Sequence, residues 1–259
     1  MPELPDLQVF SRNLNKNFAG KTLKKIHLAE FKPSNAPLSD FKKALEGKAL
    51  DEVTREGKEL HFHFGKDQVL AIHLMLKGQL HIFQGEITST RNVVELLFDD
   101  DSALAISDFM KSATASLNPP SSPYPDALSP QVNAGFLKKQ LQDVKEPIKA
   151  FLMDQKKIRG IGNAYADEIL WDAGISPFSI CSKIPDDKIK QLAKSIKSVL
   201  KDAEQQILST HPDLITGEIR DFLKVHTQKT KNTPTGQVIH FKKFKSRKTY
   251  YTNEQELFK

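Results

Sequence analysis

Apolar and polar residues alternate along much of the first hundred residues, with the period of two that half-buried β-strands show. Short turns rich in glycine, lysine and aspartate separate the alternating segments, which are 60–64, 69–74, 79–83, 93–98 and 103–106. An earlier segment, from about Asp6 to Phe18, has helical spacing, and the preceding Pro5 favours a helix start there. The pattern predicts a β-sandwich or barrel that follows one N-terminal helix.

Beyond residue 131 the apolar residues recur at intervals of three and four, which is typical of helices. Helices are predicted over 134–142, 146–153, 164–173, 186–208 and 214–223. The composition changes between the two patterns, because five of the fourteen prolines fall between Asn118 and Pro130. We therefore predict an α+β chain, divided into a β domain over 1–118, a proline-rich linker over 119–131, a helical domain over 132–225 and a C-terminal hairpin over 226–259.

The positive charge is concentrated at the C-terminus. The whole chain carries a net charge of +6, and residues 220–259 hold ten basic residues against three acidic ones, so the remainder is close to neutral. Two short strands are predicted there, over 238–241 and 247–251, on either side of a lysine-rich turn. Basic residues interleaved with aromatic ones indicate nucleic-acid binding. A solvated basic tail is the alternative, and the β-branched and aromatic content argues against it.

Several classes of protein are excluded by composition. Cys181 is the only cysteine, so the chain forms no internal disulfide and no all-cysteine zinc site. The longest apolar run, Val69 to Leu76, is too short to span a bilayer. The first residues lack the basic and apolar regions of a signal peptide, so we expect a cytoplasmic protein, found with the DNA, without membrane association.

The N-terminus itself offers a nucleophile. Removal of Met1 is expected because Pro2 is small, and it leaves a secondary amine beside Glu3. An α-amine titrates near neutrality, so part of it is unprotonated at physiological pH. Attack on a sugar C1′ would give an iminium ion, and Glu3 could serve as the proton shuttle. On these two residues alone, the alternative is a common second-position proline and a charge that flanks a helix.

A second motif runs from Ile158 to Trp171 and continues to Pro177. Gly160 and Gly162 permit a tight turn that a ligand can approach closely, and Asn163 is predicted to cap the helix that begins at the next residue. Free amides at a helix start bind anions, and a DNA phosphate suits a basic protein. The alternative is a helix hairpin whose glycines only allow close packing.

Together these motifs resemble the formamidopyrimidine-DNA glycosylase and endonuclease VIII family. The resemblance runs in order along nearly the whole chain, through segments 1–6, 55–58, 73–78, 149–154 and 160–177. It implies a β-sandwich followed by a helix-two-turn-helix domain and a C-terminal finger. It also implies roles for single residues, with Pro2 as nucleophile, Glu3 as general acid and base, Lys58 at the lesion, and Lys149, Asn163 and Arg247 on phosphates.

The chain departs from the family pattern in its finger and in its active-site carboxylates. The family usually holds zinc there through two Cys-x-x-Cys pairs, and this chain has 232–236 and 252–255 without cysteine. We expect a zinc-less finger held by aromatic residues, with no metal and no cofactor, so that chelators leave activity intact. The aromatic residues are Phe241, Phe244, Tyr250 and Tyr251. Asp6 also stands where the family generally has glutamate.

The residues that fill the gap left by a flipped base differ as well. Leu76 occupies the family's methionine position, and Ser107-Asp-Phe-Met-Lys-Ser112 replaces a loop that supplies arginine and phenylalanine. Leu76 can still wedge between base steps, with help from Phe109 or Met110. The stretch from Phe222 to Arg247 is shorter than in 8-oxoguanine-specific members, which favours oxidised pyrimidines, ring-opened purines or abasic sites.

The resemblance therefore implies a base-excision repair enzyme, a monomer that acts on damaged double-stranded DNA. It would combine a DNA glycosylase with an abasic-site lyase, through a Schiff base at Pro2 and β,δ-elimination. The alternative is a relative that binds damaged or abasic DNA with reduced or no glycosylase activity. A third hypothesis is an RNA- or ribosome-associated protein that uses the same kind of hairpin.

Overall fold

The computed structural model describes residues 1–29, 34–85 and 92–259, and these form two compact units. The first unit comprises residues 1–121 and 207–218, and the second comprises 122–206 and 219–259. The division after Ser121 falls within the segment predicted as a linker. Residues 207–218 group with the first unit, although they lie far along the chain. Among the described residues, no helix is long and apolar enough to cross a membrane.

Over its described residues, the first unit is a sandwich of two four-stranded antiparallel sheets, as predicted. One sheet has the order β1-β6-β7-β5 and the other β2-β3-β4-β8. The strands are β1 Leu23–Leu28, β2 Leu50–Glu56, β3 Glu59–Phe64, β4 Gln68–His73, β5 Gln79–Gln84, β6 Asn92–Phe98, β7 Ser102–Ser107 and β8 Thr114–Leu117. Two helices accompany them, α1 Leu4–Phe18 and α2 Leu38–Leu45.

Helix α1 begins two residues earlier than its apolar spacing predicted. Glu3 is its N-cap residue, and proline in the first turn fits there because the first amides of a helix have no partner within it. One face of the helix, with Leu7, Phe10, Leu14 and Phe18, is buried in the hydrophobic core of the sandwich. This packing fixes the position of the chain's first residues.

The sequence prediction found five strands of the sandwich and missed β1, β2, β8 and α2. The five predicted strands are confirmed within one or two residues at each end. In β1 the burial pattern places two exposed lysines, Lys24 and Lys25, between the buried residues Leu23 and Ile26. A β-bulge between Leu23 and Lys25 shifts the register, which breaks the alternation on which the prediction relied.

The second unit is helical and ends in the predicted hairpin. Its helices are α3 Ala134–Leu141, α4 Ile148–Met153, α5 Asn163–Asp172 and most of α6 Asp186–Thr210, and its strands are β9 His240–Phe244 and β10 Arg247–Tyr251. Arg247 pairs with Phe244, so Lys245 and Ser246 form a two-residue turn. Both have positive φ, 44° and 65°, as a type I′ turn requires.

The helix predicted over 214–223 is wrong. This segment has no regular secondary structure, and Gly217 in it has a φ of 87° that does not fit a right-handed helix. Leu214 and Ile215 instead pack against the hydrophobic core of the first unit. The apolar residues of this segment are buried against the sandwich and do not form one face of a helix.

Candidate functional site

In the first unit, the two N-terminal residues singled out by the sequence lie directly before α1. Pro2 and Glu3 are both buried, and Glu3 is only 5% exposed. The amide of Glu3 donates a hydrogen bond of 2.8 Å to Oδ2 of Asp6. Asp6 is fully buried, so this departure from the family pattern places a short carboxylate where it satisfies the start of the helix.

Lys58 lies in the tight turn between β2 and β3, next to Gly57 with a φ of 60°. Nε of Arg55 donates to Oε1 of Gln8 at 2.9 Å, so this hairpin is held against α1. Burial lowers the pKa of His73; the nearby charge of Lys58 acts in the same direction, and that of Glu59 opposes it. Lys58 therefore lies close enough to β4 to act on its last residue.

The loop that carries Leu76 is fixed by its own backbone. It connects β4 to β5, and Gly78 closes it by donating to the carbonyl of Leu74 at 2.9 Å. A Cβ at Gly78 would lie 2.4 Å from that same oxygen, so glycine is required there. Met75 has a φ of 52°, and its amide donates to Nδ1 of His73 at 2.9 Å. The result is a compact loop whose apolar tip, Leu76, is 56% exposed.

A second loop, between β7 and β8, is organised by one buried carboxylate. Asp108 is 2% exposed and accepts hydrogen bonds from the amides of Met110, Ser112 and Ala113 at 2.9, 2.6 and 2.7 Å. Burial alone would raise the pKa of Asp108, but these hydrogen bonds outweigh it and lower that pKa. Phe109 projects from this loop with 73% of its surface exposed.

Strand pairing places these two loops next to each other. His73 at the end of β4 pairs with Thr114 at the start of β8, and Gln79 at the start of β5 pairs with Ser107 at the end of β7. Both loops therefore cross from one sheet to the other between the same two strand pairs. This arrangement brings the exposed tips of Leu76 and Phe109 to one edge of the sandwich.

In the second unit, the glycine turn is confirmed but the predicted cap is wrong. Gly160 has a φ of 104°, and its amide donates to Oε1 of Gln155 at 2.9 Å. Helix α5 begins at Asn163 with Gly162 as its N-cap residue, so the asparagine side chain does not cap the helix. Nδ2 of Asn163 instead donates to the carbonyl of Lys248 at 3.1 Å, which links the turn to the C-terminal hairpin.

One cleft of about 270 Å³ brings together three of the predicted DNA-binding residues. Lys149 from α4, Asn163 from α5 and Arg247 from β10 all line it. Lys245, in the hairpin turn, adds a further positive charge. Three donor side chains and a nearby helix start suit a phosphate group.

Lys149 also has a structural role that the sequence did not reveal. Its side chain is 1% exposed, and Nζ lies 2.6 Å from Oδ1 of Asp167 and 2.9 Å from Oγ1 of Thr249. Oδ2 of Asp167 accepts from the amide of Tyr250 at 3.0 Å and lies 2.7 Å from Nδ1 of His226. Lys149 and Asp167 thus join two helices to the hairpin, and the phosphate contact of Lys149 stays a prediction.

Glu168, the next residue on α5, fixes the segment that leads to the hairpin. Its carboxylate accepts from the amides of Lys224, Val225 and His226 at 2.9, 2.8 and 2.7 Å. Burial raises the pKa of Glu168, and the same hydrogen bonds oppose that effect. No motif gave either acidic residue a role, because most of their partners lie more than fifty positions away in the chain.

The residues at the finger's family zinc positions do not fit the metal. Thr252 donates its amide to Oε1 of Gln255 at 2.8 Å, and Thr233 and Thr235 are joined through their hydroxyls at 2.7 Å. Hydroxyl and amide groups already engaged with each other are poor zinc ligands. Within 1–29, 34–85 and 92–259 there is also no group of three histidine, cysteine or acidic residues that could hold an ion.

Aromatic contacts hold the hairpin, as expected for Phe244, Tyr250 and Tyr251. The ring of Phe178 packs edge-on against Tyr251 with centroids 5.2 Å apart, and the ring of His226 packs against Tyr250 at 4.8 Å. Phe241, expected to help hold the finger, is 64% exposed. The hairpin is therefore fixed along one face, and its other face is left with basic and aromatic side chains in solvent.

The comparisons with known proteins agree with this arrangement. Residues 1–115 match the Formamidopyrimidine-DNA glycosylase N-terminal domain, and residues 124–211 match the Formamidopyrimidine-DNA glycosylase H2TH domain. A formamidopyrimidine-DNA glycosylase of Hahella chejuensis is 30% identical over 227 residues, which cover 84% of this chain and 83% of that protein.

Two solved complexes are similar in structure. One is between the Lactococcus lactis Fpg and an abasic site containing DNA, with a TM-score of 0.84, 26% identity and coverage of 98% of this chain and 100% of that one. The other is between the wild-type Lactococcus lactis Fpg and an oxidized pyrimidine containing DNA, with a TM-score of 0.84, 26% identity and coverage of 97% and 98%.

Proposed function

Since the chain belongs to the formamidopyrimidine-DNA glycosylase family, it is a base-excision DNA glycosylase, and we propose that Pro2 and Glu3 carry out its chemistry on damaged double-stranded DNA. The observation that supports this most directly is their placement. Both residues stand directly before α1, whose buried face anchors them to the sandwich. The protein acts as a monomer in the cytoplasm, where its substrate is.

In this reaction the amine nitrogen of Pro2, freed by removal of Met1, forms a bond to C1′ of the damaged nucleotide while the bond from C1′ to the base breaks. The base leaves with a proton, and Glu3 takes part in that transfer. The amine then loses its proton and the bond from C1′ to O4′ of the sugar breaks, with O4′ taking up a proton. The product is an iminium ion, which is an electron sink. The two flanking phosphates then leave by β- and δ-elimination, which makes the protein an abasic-site lyase as well.

The cleft of Lys149, Asn163 and Arg247 holds the phosphates next to the lesion. Arg247 is exposed and presents a planar guanidinium, which binds two phosphate oxygens at once. Gly160 and Gly162, in the turn before α5, carry no side chain, so the backbone at these positions can approach the DNA closely. Lys58, in the β2–β3 turn of the first unit, contacts the DNA at the lesion.

The adjacent tips of Leu76 and Phe109 fill the space that the flipped nucleotide leaves. Apolar side chains can wedge between base steps, and extrusion of a damaged base costs a few kcal/mol, less than that of a paired one. The stretch from Phe222 to Arg247 is short, which leaves little chain to cover a flipped 8-oxoguanine. Oxidised pyrimidines, ring-opened purines and abasic sites are therefore the proposed lesions.

Borohydride trapping on an abasic-site duplex tests the role of Pro2. Two proteins are compared, one with a C-terminal tag and a free Pro2, confirmed by intact mass, and one with an uncleaved N-terminal extension. Only the first should form a covalent adduct, because the extension turns the amine into an amide. Binding to a tetrahydrofuran duplex serves as the control. Equal trapping in both proteins would show that another amine reacts.

The alternative, a damaged-DNA binder with little or no glycosylase activity, is distinguished by the same materials. An incision assay on the abasic duplex and on duplexes with single oxidised pyrimidines measures lyase and glycosylase activity separately. The proposed function predicts strand cleavage of both kinds of duplex. Tight binding without cleavage would favour the alternative.

A further inference from the structure

Residues 211–218, which we call the strap, pack along the first unit and end at the N-terminus. Nζ of Lys16 lies 2.9 Å from Oδ1 of Asp213, and Nδ2 of Asn13 donates to the carbonyl of Leu214 at 2.8 Å. Farther along, Oγ1 of Thr216 accepts from the amide of Leu80 at 3.2 Å. The strap is thus held by contacts to α1 and to the start of β5.

The last residue of the strap reaches the first residue of the chain. Gly217 turns the backbone with a φ of 87°, a conformation that favours glycine. A Cβ at this position would meet no other atom, so the backbone conformation and not close packing accounts for the glycine. The carboxylate of Glu218 then forms an ion pair with the ammonium of Met1, whose side chain is 26% exposed, while that of Glu218 is 36% exposed. No sequence motif connects these two residues, which are 217 positions apart in the chain.

We propose that Glu218 is the counter-ion of the N-terminal amine and positions it for attack, an inference that rests on the proposed role of Pro2. Removal of Met1 moves the terminal nitrogen by one residue, at most about 4 Å. A glutamate side chain covers that span by a change of rotamer. The strap contacts fix the backbone from which Glu218 reaches, so its carboxylate stays beside the amine after processing.

The proposal gives Glu218 a task distinct from that of Glu3. Its carboxylate holds the terminal nitrogen in place while no substrate is bound. Other charged or titratable groups lie on the elements around the start of α1. They are Glu3, Asp6, Arg55, Glu56, Lys58, Glu59, His73 and Lys77. Because Glu218→Gln leaves all of these groups unchanged, any difference from the parent protein reports the loss of the Glu218 charge alone.

The test measures single-turnover borohydride trapping on saturating abasic-site duplex as a function of pH. In Glu218→Gln the ammonium loses its counter-ion, so the midpoint of the pH profile should move to lower pH, with a slower plateau rate. Binding to the tetrahydrofuran duplex should be unchanged. Glu218→Asp keeps the charge and should restore the midpoint, although a shorter side chain leaves the plateau rate reduced.

The matched control is Asp101→Asn, which removes a carboxylate from an exposed ion pair with Lys24, elsewhere on the first unit and of little energetic value. It should leave both the midpoint and the rate as in the parent protein. An unshifted midpoint in Glu218→Gln would overturn the proposal even if the rate falls. The role of Pro2 is tested by a different result, because trapping that survives an N-terminal extension would contradict it. The proposals for Pro2 and for Glu218 can therefore fail independently.

Discussion

Nζ of Lys149 and Oδ1 of Asp167 lie 2.6 Å apart, and both side chains are almost wholly excluded from solvent. A buried pair of this kind is stabilising only while both partners are present, because an uncompensated charge in the interior is costly. Thr249, His226 and the amide of Tyr250 complete the surroundings of the two charges. The pair therefore determines whether the hairpin with Arg247 is attached firmly.

Asp167→Asn should lower the free energy of unfolding by about 3–5 kcal/mol, because it leaves Lys149 buried without its counter-charge. Chemical denaturation of the two proteins measures the difference. Asp186→Asn is the control, since its pair with Lys138 is 61% exposed on both sides and should be worth about 1 kcal/mol or less. Similar losses in both variants would contradict the structural role of Asp167.

Arg247→Ala should weaken the binding of every damaged duplex. It should also reduce the slope of log affinity against log salt concentration by about one, as expected for the loss of one phosphate contact. Arg247→Lys should recover only part of the affinity, because an ammonium cannot bind two oxygens in one plane. Fluorescence anisotropy at several salt concentrations measures both effects. Lys194→Ala, an exposed cation on α6, should leave the slope unchanged.

Phe109→Ala and Leu76→Ala should each reduce affinity for an abasic-site duplex about tenfold, which corresponds to burial of a modest apolar area. Affinity for an undamaged duplex should change much less, since it has no gap to fill. Phe83→Ala is the matched control, because Phe83 is also an exposed aromatic residue of the sandwich, on β5. Equal effects of Phe83→Ala and Phe109→Ala would refute the void-filling role.

The loop around Asp108 should respond to acid in a defined direction. Because the folded protein lowers the pKa of Asp108 below its usual 3.8, the stabilisation is complete above that pH and is lost as the pH falls through the lower folded value. Asp108→Asn should therefore lower the Tm at pH 7, and the difference from the parent protein should shrink at pH 3. Asp67→Asn, on an exposed turn, should show no such convergence.

Removal of metal should have no effect. The threonine, asparagine and glutamine side chains of the finger are bonded to one another and to the backbone, so EDTA should change neither the Tm nor incision of an abasic duplex. Metal analysis of the purified protein should find no stoichiometric zinc. A fall in Tm with EDTA that added zinc reverses would contradict this expectation.

Much of the fold could be predicted because its periodicity is local. Helix α1, five strands and four helices follow from alternation or three- and four-residue spacing, which adjacent residues determine. Strand β1 has a bulge, and the segment around Leu214 and Ile215 buries its apolar side chains against another element. In both places a partner distant in sequence decides the structure, so a local pattern could not reveal it.

The residues of the candidate site also divide into those that a local motif reveals and those that it does not. Pro2, Glu3, Asn163 and Arg247 could be selected because each lies in a recognisable motif. Glu218 and Asp167 were not selected, because what gives each a role is contact with residues that no local pattern connects to it. Asp108 did have a local signal, an aspartate that opens a short loop, although that signal indicates a turn rather than its importance.

The return of residues 207–218 to the first unit has a consequence for how the protein is made. Ribosomes add about 5–20 residues per second, and domains generally fold in order as they emerge. Here the sandwich lacks the strap until nearly a hundred further residues have followed Ser121, a delay of about 5–20 s. The N-terminal amine therefore acquires its counter-ion only after helices α3 to α6 have been synthesised.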